Sequence, residues 1–244
     1  MTPVFFINLD RSPDRLAFMQ AQLKRLGISA HRVRGIDGTD DLPLGLTSQF
    51  AQSHRLTPGE VGCYASHLTT YWNIIASQAD AAIVLEDDAT LSSNFLAVAR
   101  AAILAAPHRW DVIHFTSKFR KRPLTLCGIG NGSDLVLHRR LPAGGGAYAI
   151  SRSGCHKMMA LTSRKRPIDM EFRYPWVAGL NLYGVSPAPA EQREQFPTLV
   201  GAVELASSRR RGYWAPSLVS QIRGKLALWA RLGLSAQLGA GHVQ

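Results

Sequence analysis

The stretch Val4-Phe5-Phe6-Ile7-Asn8-Leu9-Asp10-Arg11-Ser12-Pro13 passes from strand to helix. Its apolar part is short and stops at polar Asn8 and Asp10, as a buried strand does at its carboxyl end. Ser12 then supplies an N-cap, Pro13 suits the first helical turn, and Asp14 lies where the helix dipole favours an acid. Leu16, Met19, Leu23 and Leu26 recur at helical spacing, and Gly27 closes the helix. Residues 28–33 read as a second strand running into Gly35-Ile36-Asp37-Gly38. A β-α-β opening calls for a mostly parallel sheet with helices on its faces, so the expected class is α/β.

The pattern continues outward. Residues 39–56 read as loop. Thr57-Pro58-Gly59-Glu60 is a capping box, and Val61, Tyr64, Leu68, Trp72 and Ile75 mark the expected buried stripe of a helix ending near Ser77. Residues 81–85 form a third apolar run that halts at Glu86-Asp87-Asp88. A helix over 94–105 and a strand over 111–115 follow, then strands over 135–137 and 147–150 and a helix over 153–161. Residues 167–200, rich in proline and aromatics, read as an irregular wall. The expected division is a domain over 1–204 and a basic tail over 205–244.

Lys and Arg number 28 against 17 Asp and Glu, a net charge of +11, which favours an anionic partner. No acid follows Glu204, while Arg209, Arg210, Arg211, Arg223, Lys225 and Arg231 all do. Leu218, Val219, Ile222, Leu226 and Trp229 fall on one helical stripe, so residues 209–234 read as a basic amphipathic helix on an anionic membrane surface; a terminal helix packed on the domain is the competing reading. Nucleic acid is not the expected partner, because the basic clusters lack interleaved aromatics and no recognition motif accompanies them. Apolar runs of about five residues fall far short of a membrane span. The opening lacks the basic flank of a signal peptide, and three scattered cysteines suggest a reducing cytoplasm.

Glu86-Asp87-Asp88 carries the chemistry. Ligands of open α/β sheets bind outside the carboxyl ends of strands, and acids crowded there repel unless a cation intervenes. Hard oxygen donors suit Mn²⁺ or Mg²⁺, with Glu86 and Asp88 as ligands on one side of a continuing strand and Asp87 on the other. A polar turn facing water is the alternative.

Several segments together resemble glycosyltransferase family 25, the lipooligosaccharide glycosyltransferases. They are Ile7-Asn8-Leu9-Asp10-Arg11 with Pro13 and Arg15, Ile36-Asp37-Gly38, Leu56-Thr57-Pro58-Gly59-Glu60-Val61-Gly62-Cys63-Tyr64-Ala65-Ser66-His67, and Val84-Leu85-Glu86-Asp87-Asp88-Ala89. Gly146-Ala147-Tyr148-Ala149-Ile150-Ser151, Pro167-Ile168-Asp169, and Pro189 with Gln192 match later motifs more loosely. The resemblance implies a single Rossmann-like nucleotide-diphospho-sugar transferase domain of the GT-A type. It implies a UDP-sugar donor, commonly UDP-galactose, inversion at the sugar carbon, and a lipooligosaccharide or lipopolysaccharide acceptor. The acidic triplet would stand for the metal motif, with Asp87 among the donor-binding residues. Such an enzyme would work on the inner face of a bacterial cytoplasmic membrane.

The remaining roles each have two readings. Asn8, Asp10 and Arg11 meet the nucleotide, or Asp10 caps a helix; Arg15 meets phosphate or sits on a solvated face. Asp37 contacts the ribose or forms a plain Asp-Gly turn. Glu60 and His67 contact donor or acceptor, or serve the capping box and the helix interior; Cys63 reads as a packing residue. Gly145 and Gly146 let backbone approach the donor sugar, or form a flexible loop. Asp169, with Glu171 behind it, is the candidate catalytic base, or else pairs with Arg166 or Arg173. A transferase-like scaffold or a basic nucleic-acid-binding protein, without catalysis, is the alternative to an enzyme.

Overall fold

The computed structural model describes residues 2–39, 56–116, 122–138 and 144–192, with Leu42, Leu46, Phe50 and Leu226. The expected membrane-binding helix over 209–234 lies outside the described residues, apart from the exposed helical position Leu226. Most of the expected loop over 39–56 lies outside them too. Among the described residues, no helix is long and apolar enough to cross a membrane.

β1 (Val4–Asn8), α1 (Pro13–Arg25) and β2 (His31–Arg34) make the opening β-α-β unit, and α2 (Pro58–Ala76) leads to β3 (Ala81–Glu86). β4 (Ala89–Leu91), α3 (Phe95–Ala105), β5 (Val112–His114), the pair β6 (Leu124–Gly130) and β7 (Ser133–Leu137), and β8 (Ala147–Ser151) follow. α4 (Arg152–Met159), α5 (Ile168–Arg173), β9 (Leu182–Ser186) and β10 (Ala190–Gln192) complete the described order.

The main sheet has eight strands in the order β2-β1-β3-β8-β5-β9-β7-β6. β1 is parallel to β2 and β3, and β5 is parallel to β9, whereas β8 and β7 run against both of their neighbours. The sheet is therefore mixed. The expectation of a mostly parallel sheet describes the common direction of the other strands, not the pairings. A second, two-stranded sheet joins β10 to β4.

Strand alternation sends side chains to two cores. Val4, Phe6, Ile83 and Leu85 pack with Met19 and Leu23 of α1 and Phe95 and Val98 of α3. Phe5, Ala82, Val84 and Tyr148 pack with Tyr64, Leu68 and Tyr71 of α2 and Phe172 of α5. Each fully buried aliphatic side chain contributes about 1.5–3 kcal/mol relative to exposure, so both faces hold the sheet.

The structure corrects two expectations. Trp72 is 62% exposed and lies off the buried stripe; α2 instead buries a wide arc from Gly62 to Ile74 that includes Ser66, His67 and Thr70. Residues 167–192 are not an irregular wall. They hold α5, β9 inside the main sheet, and β10. Proline punctuates these elements without removing them.

Candidate active site

From β1 the chain passes to β2 on one side, while β3 lies on the other. The carboxyl ends of β1 and β3 therefore flank a topological switch point, where open α/β sheets receive ligands. β8, running the opposite way, starts at the same edge: Glu86 N donates to Gly146 O at 2.8 Å, and Phe115 N to Ala147 O at 3.0 Å. β10 crosses nearby through its pairing of Gln192 with Ala89.

Alternation along β3 separates the acids. Glu86, in phase with Ala82 and Val84, faces α2. Asp87 faces α1, where Asn8 Nδ2 donates to its Oδ2 at 2.7 Å and Arg15 Nη1 to its Oδ1 at 2.9 Å. Asn8 is 1% exposed, also donates to Ser12 O at 3.2 Å, and accepts from Arg32 Nη2 at 2.8 Å. Asn8 and Asp87 thus form an internal network that ties the ends of β1 and β3 to α1. Gln22 of α1 adds to it, donating to Ala89 O and accepting from Leu91 N, each at 2.9 Å. β3 ends at Glu86, so Asp88 lies in the turn to β4, with Oδ2 3.6 Å from Arg15 Nη1. Its Oδ1 is buried without a hydrogen-bond partner among the described residues, and burial first, then Glu86, raise its pKa to about 7.

On the α2 face, Glu86 Oε1 lies 3.3 Å from His67 Nε2, and Gln192 Nε2 donates to Oε2 at 3.3 Å. His67 Nδ1 and the Tyr148 hydroxyl are 2.7 Å apart, and the Tyr71 hydroxyl stands 2.8 Å behind Tyr148. Cys63, one turn before His67, brings its sulfur within 4.8 Å of the His67 and Glu86 ligand atoms. Gly145 closes over this group: a Cβ there would meet Glu86 Oε1 at 2.9 Å. Gly146 is looser, with Gln192 and Thr116 atoms at 3.6 Å from such a Cβ.

Asp169 stands in the first turn of α5. Burial, then Glu86, raise its pKa to about 6, with Glu60 acting in the same direction. Glu60 completes the capping box, its Oε2 accepting from Thr57 N at 2.8 Å. Glu171 is buried and faces Arg166 Nη1 at 3.4 Å, with its pKa raised chiefly by burial.

Asp10, Arg11 and Asp37 form a more open group. Asp10 pairs with Arg32 at 2.6 Å and Arg34 at 2.7 Å, while exposed Arg11 pairs with Asp37. The Asp37 loop rests on the start of α2, because a Cβ on Gly38 would fall 1.5 Å from Pro58 O and one on Gly62 would fall 2.4 Å from Ile36 O. The fold thus gathers Glu86, Asp88, His67, Gly145 and Asp169 around one edge, turns Asn8 and Asp87 inward, and leaves Asp10, Arg11 and Asp37 in surface ion pairs.

Some contributors carry no sequence signal. Tyr71 and Gln22 are polar groups on buried helix faces, and their partners lie 77 and 67 residues away. Tyr148 and Gln192 stood only within loosely matching motifs.

The mixed sheet with its acidic switch point is compatible with a Rossmann-like fold. The profile of "Glycosyltransferase family 25 (LPS biosynthesis protein)" matches residues 1–125, and the chain belongs to that family. The mouse protein titled "Inactive glycosyltransferase 25 family member 3" is 30% identical over 186 residues, covering 68% of this chain and 30% of the relative. The human protein of the same title is 30% identical over 187 residues, with the same 68% and 30% coverage. A Drosophila melanogaster "Glycosyltransferase 25 family member" is 28% identical over 178 residues, covering 68% of this chain and 28% of the relative. The chain spans about three-tenths of the length of these relatives.

Proposed function

We propose that the chain is an inverting, metal-dependent glycosyltransferase of the GT-A type that moves a sugar, galactose for preference, from a UDP-sugar to a lipooligosaccharide or lipopolysaccharide acceptor. One observation carries the reading: Glu86 and Asp88 stand together at the switch point, with Asp88 Oδ1 buried and unbonded among the described residues. Two carboxylates in that state suit a hard divalent cation, so the residues fit Mn²⁺ or Mg²⁺, and Glu86 and Asp88 would hold it. When bound, the ion supplies Lewis acidity to the departing diphosphate, worth several kcal/mol.

Asp169 takes the proton of the acceptor hydroxyl as the acceptor oxygen bonds to the anomeric carbon and the bond to UDP breaks. A carboxyl raised to about 6 is a stronger base than an ordinary aspartate and still ionised at neutral pH. Gly145 and Gly146 would leave room for the sugar, and Asp10, Arg11 and Asp37, beyond the carboxyl ends of β1 and β2, suit contacts to the uridine. The tail over 209–234, with its arginines and without acids, suits an anionic membrane surface carrying the acceptor, on the cytoplasmic side.

Turnover of UDP-sugars with Mn²⁺ or Mg²⁺ tests the reading, together with melting in the presence of UDP and metal. Asp88→Ala should lose transfer while keeping its circular dichroism; full activity in that variant would sink the metal site. The titles of the mouse and human relatives favour a second reading, a non-catalytic transferase-like scaffold. No turnover with any UDP-sugar, alongside retained UDP binding, would select it.

A further inference from the structure

We propose that Cys63 Sγ, His67 Nε2 and Glu86 Oε1 form a site for a thiophilic divalent cation of the zinc class. The site is distinct in ligand chemistry from the carboxylate pair discussed above and shares Glu86 with it. Among the described residues, this is the group of Cys, His and acidic side chains whose ligand atoms converge, all within 4.8 Å of one another. A thiolate, an imidazole and one carboxylate select zinc-like ions over Mn²⁺ or Mg²⁺, and three protein ligands with an open fourth position form a recurring zinc arrangement.

The local structure supports the assignment. Cys63 and His67 are four residues apart on α2 and so project from the same side of the helix. His67 is fully buried, and its Nδ1 is engaged by the Tyr148 hydroxyl at 2.7 Å, which Tyr71 backs at 2.8 Å. That partner fixes the ring and leaves Nε2 directed at Glu86, as outer-shell groups do for metal-bound histidines. Gly145 keeps the space beside Glu86 Oε1 and His67 Nε2 free of a side chain. Glu86, Asp169, Asp88 and Glu60 all act on the Cys63 thiol, giving a field that attracts a cation.

The test does not depend on the transferase reading, because it needs neither donor nor acceptor. The whole chain is titrated with Co²⁺, a coloured substitute for zinc. One equivalent should bind with intense ligand-field bands and a thiolate-to-cobalt charge-transfer band, both abolished by Zn²⁺. Cys63→Ser should remove the charge-transfer band, and Cys127→Ser, at an exposed cysteine, should leave it. Glu86→Gln should weaken cobalt binding by about tenfold or more, since even outer-shell changes cost 10–100-fold. Zinc should also protect Cys63 of the unmodified chain from iodoacetamide while Cys127 still reacts, an answer that requires no variant to fold. Absence of the charge-transfer band at saturating cobalt, its persistence in Cys63→Ser, or unprotected Cys63 overturns the proposal.

Discussion

Arg15 Nη1 stands 2.9 Å from Asp87 Oδ1, joining two side chains that are 10% and 9% exposed. The pair bridges α1 and the end of β3, and Asn8 completes it from the end of β1. Asp87 therefore organises the switch point from within, while Glu86 faces His67 of α2 and Asp88 lies in the turn to β4. Removing one partner of a buried pair leaves the other charge uncompensated. Arg15→Met should cost about 3–5 kcal/mol, read as a lower urea midpoint at unchanged slope.

The contact between the Asp37 loop and α2 leaves no room for a side chain. A Cβ on Gly38 would lie 1.5 Å from Pro58 O, which belongs to backbone and cannot swing away. Gly38→Ala should destabilise the chain by about 1–3 kcal/mol or more, as overpacking does, and should shift the thermal midpoint down by several degrees.

Asp169 should link stability and activity in opposite directions. Its carboxyl titrates at about 6 in the folded chain against 3.8 ordinarily, so between those values the native state holds the proton more tightly. The stability this group contributes is fully present below its unfolded value and is lost as pH rises through the folded one. Asp169→Asn should therefore melt above the parent chain at neutral pH and together with it near pH 4. The same variant should lose transfer, and with it the acid limb of the kcat/KM profile near pH 6. A variant that melts no higher at neutral pH would contradict the burial of this charge.

Trp72 is 62% exposed despite its place in an apolar pattern of helical spacing. Trp72→Gln should change stability by no more than about 0.5 kcal/mol, measured by denaturant unfolding. Tyr71→Ala next to it should cost about 3–5 kcal/mol, because a fully buried aromatic leaves a cavity.

Local periodicity determined a good part of this protein. The β-α-β opening, the capping box at Thr57 and Glu60, the helix after Asn94 and the abrupt end of β3 all follow from signals within one turn or one strand. The opposite facing of Glu86 and Asp87 was also legible, because strand side chains alternate without reference to anything distant. What only the tertiary structure decided is who meets whom. Asp87 and Arg15 are 72 residues apart, and His67 and Tyr148 are 81 apart, so no local pattern records these contacts. β9 lies inside the main sheet because its neighbours β5 and β7 supply both rows of hydrogen bonds, a fact that its glycine and the prolines just after it conceal. Trp72 is exposed and His67 buried for the same reason: the sheet, α4 and α5 cover the buried arc of α2, and hydrophobicity along one helix cannot say which arc a neighbour will cover.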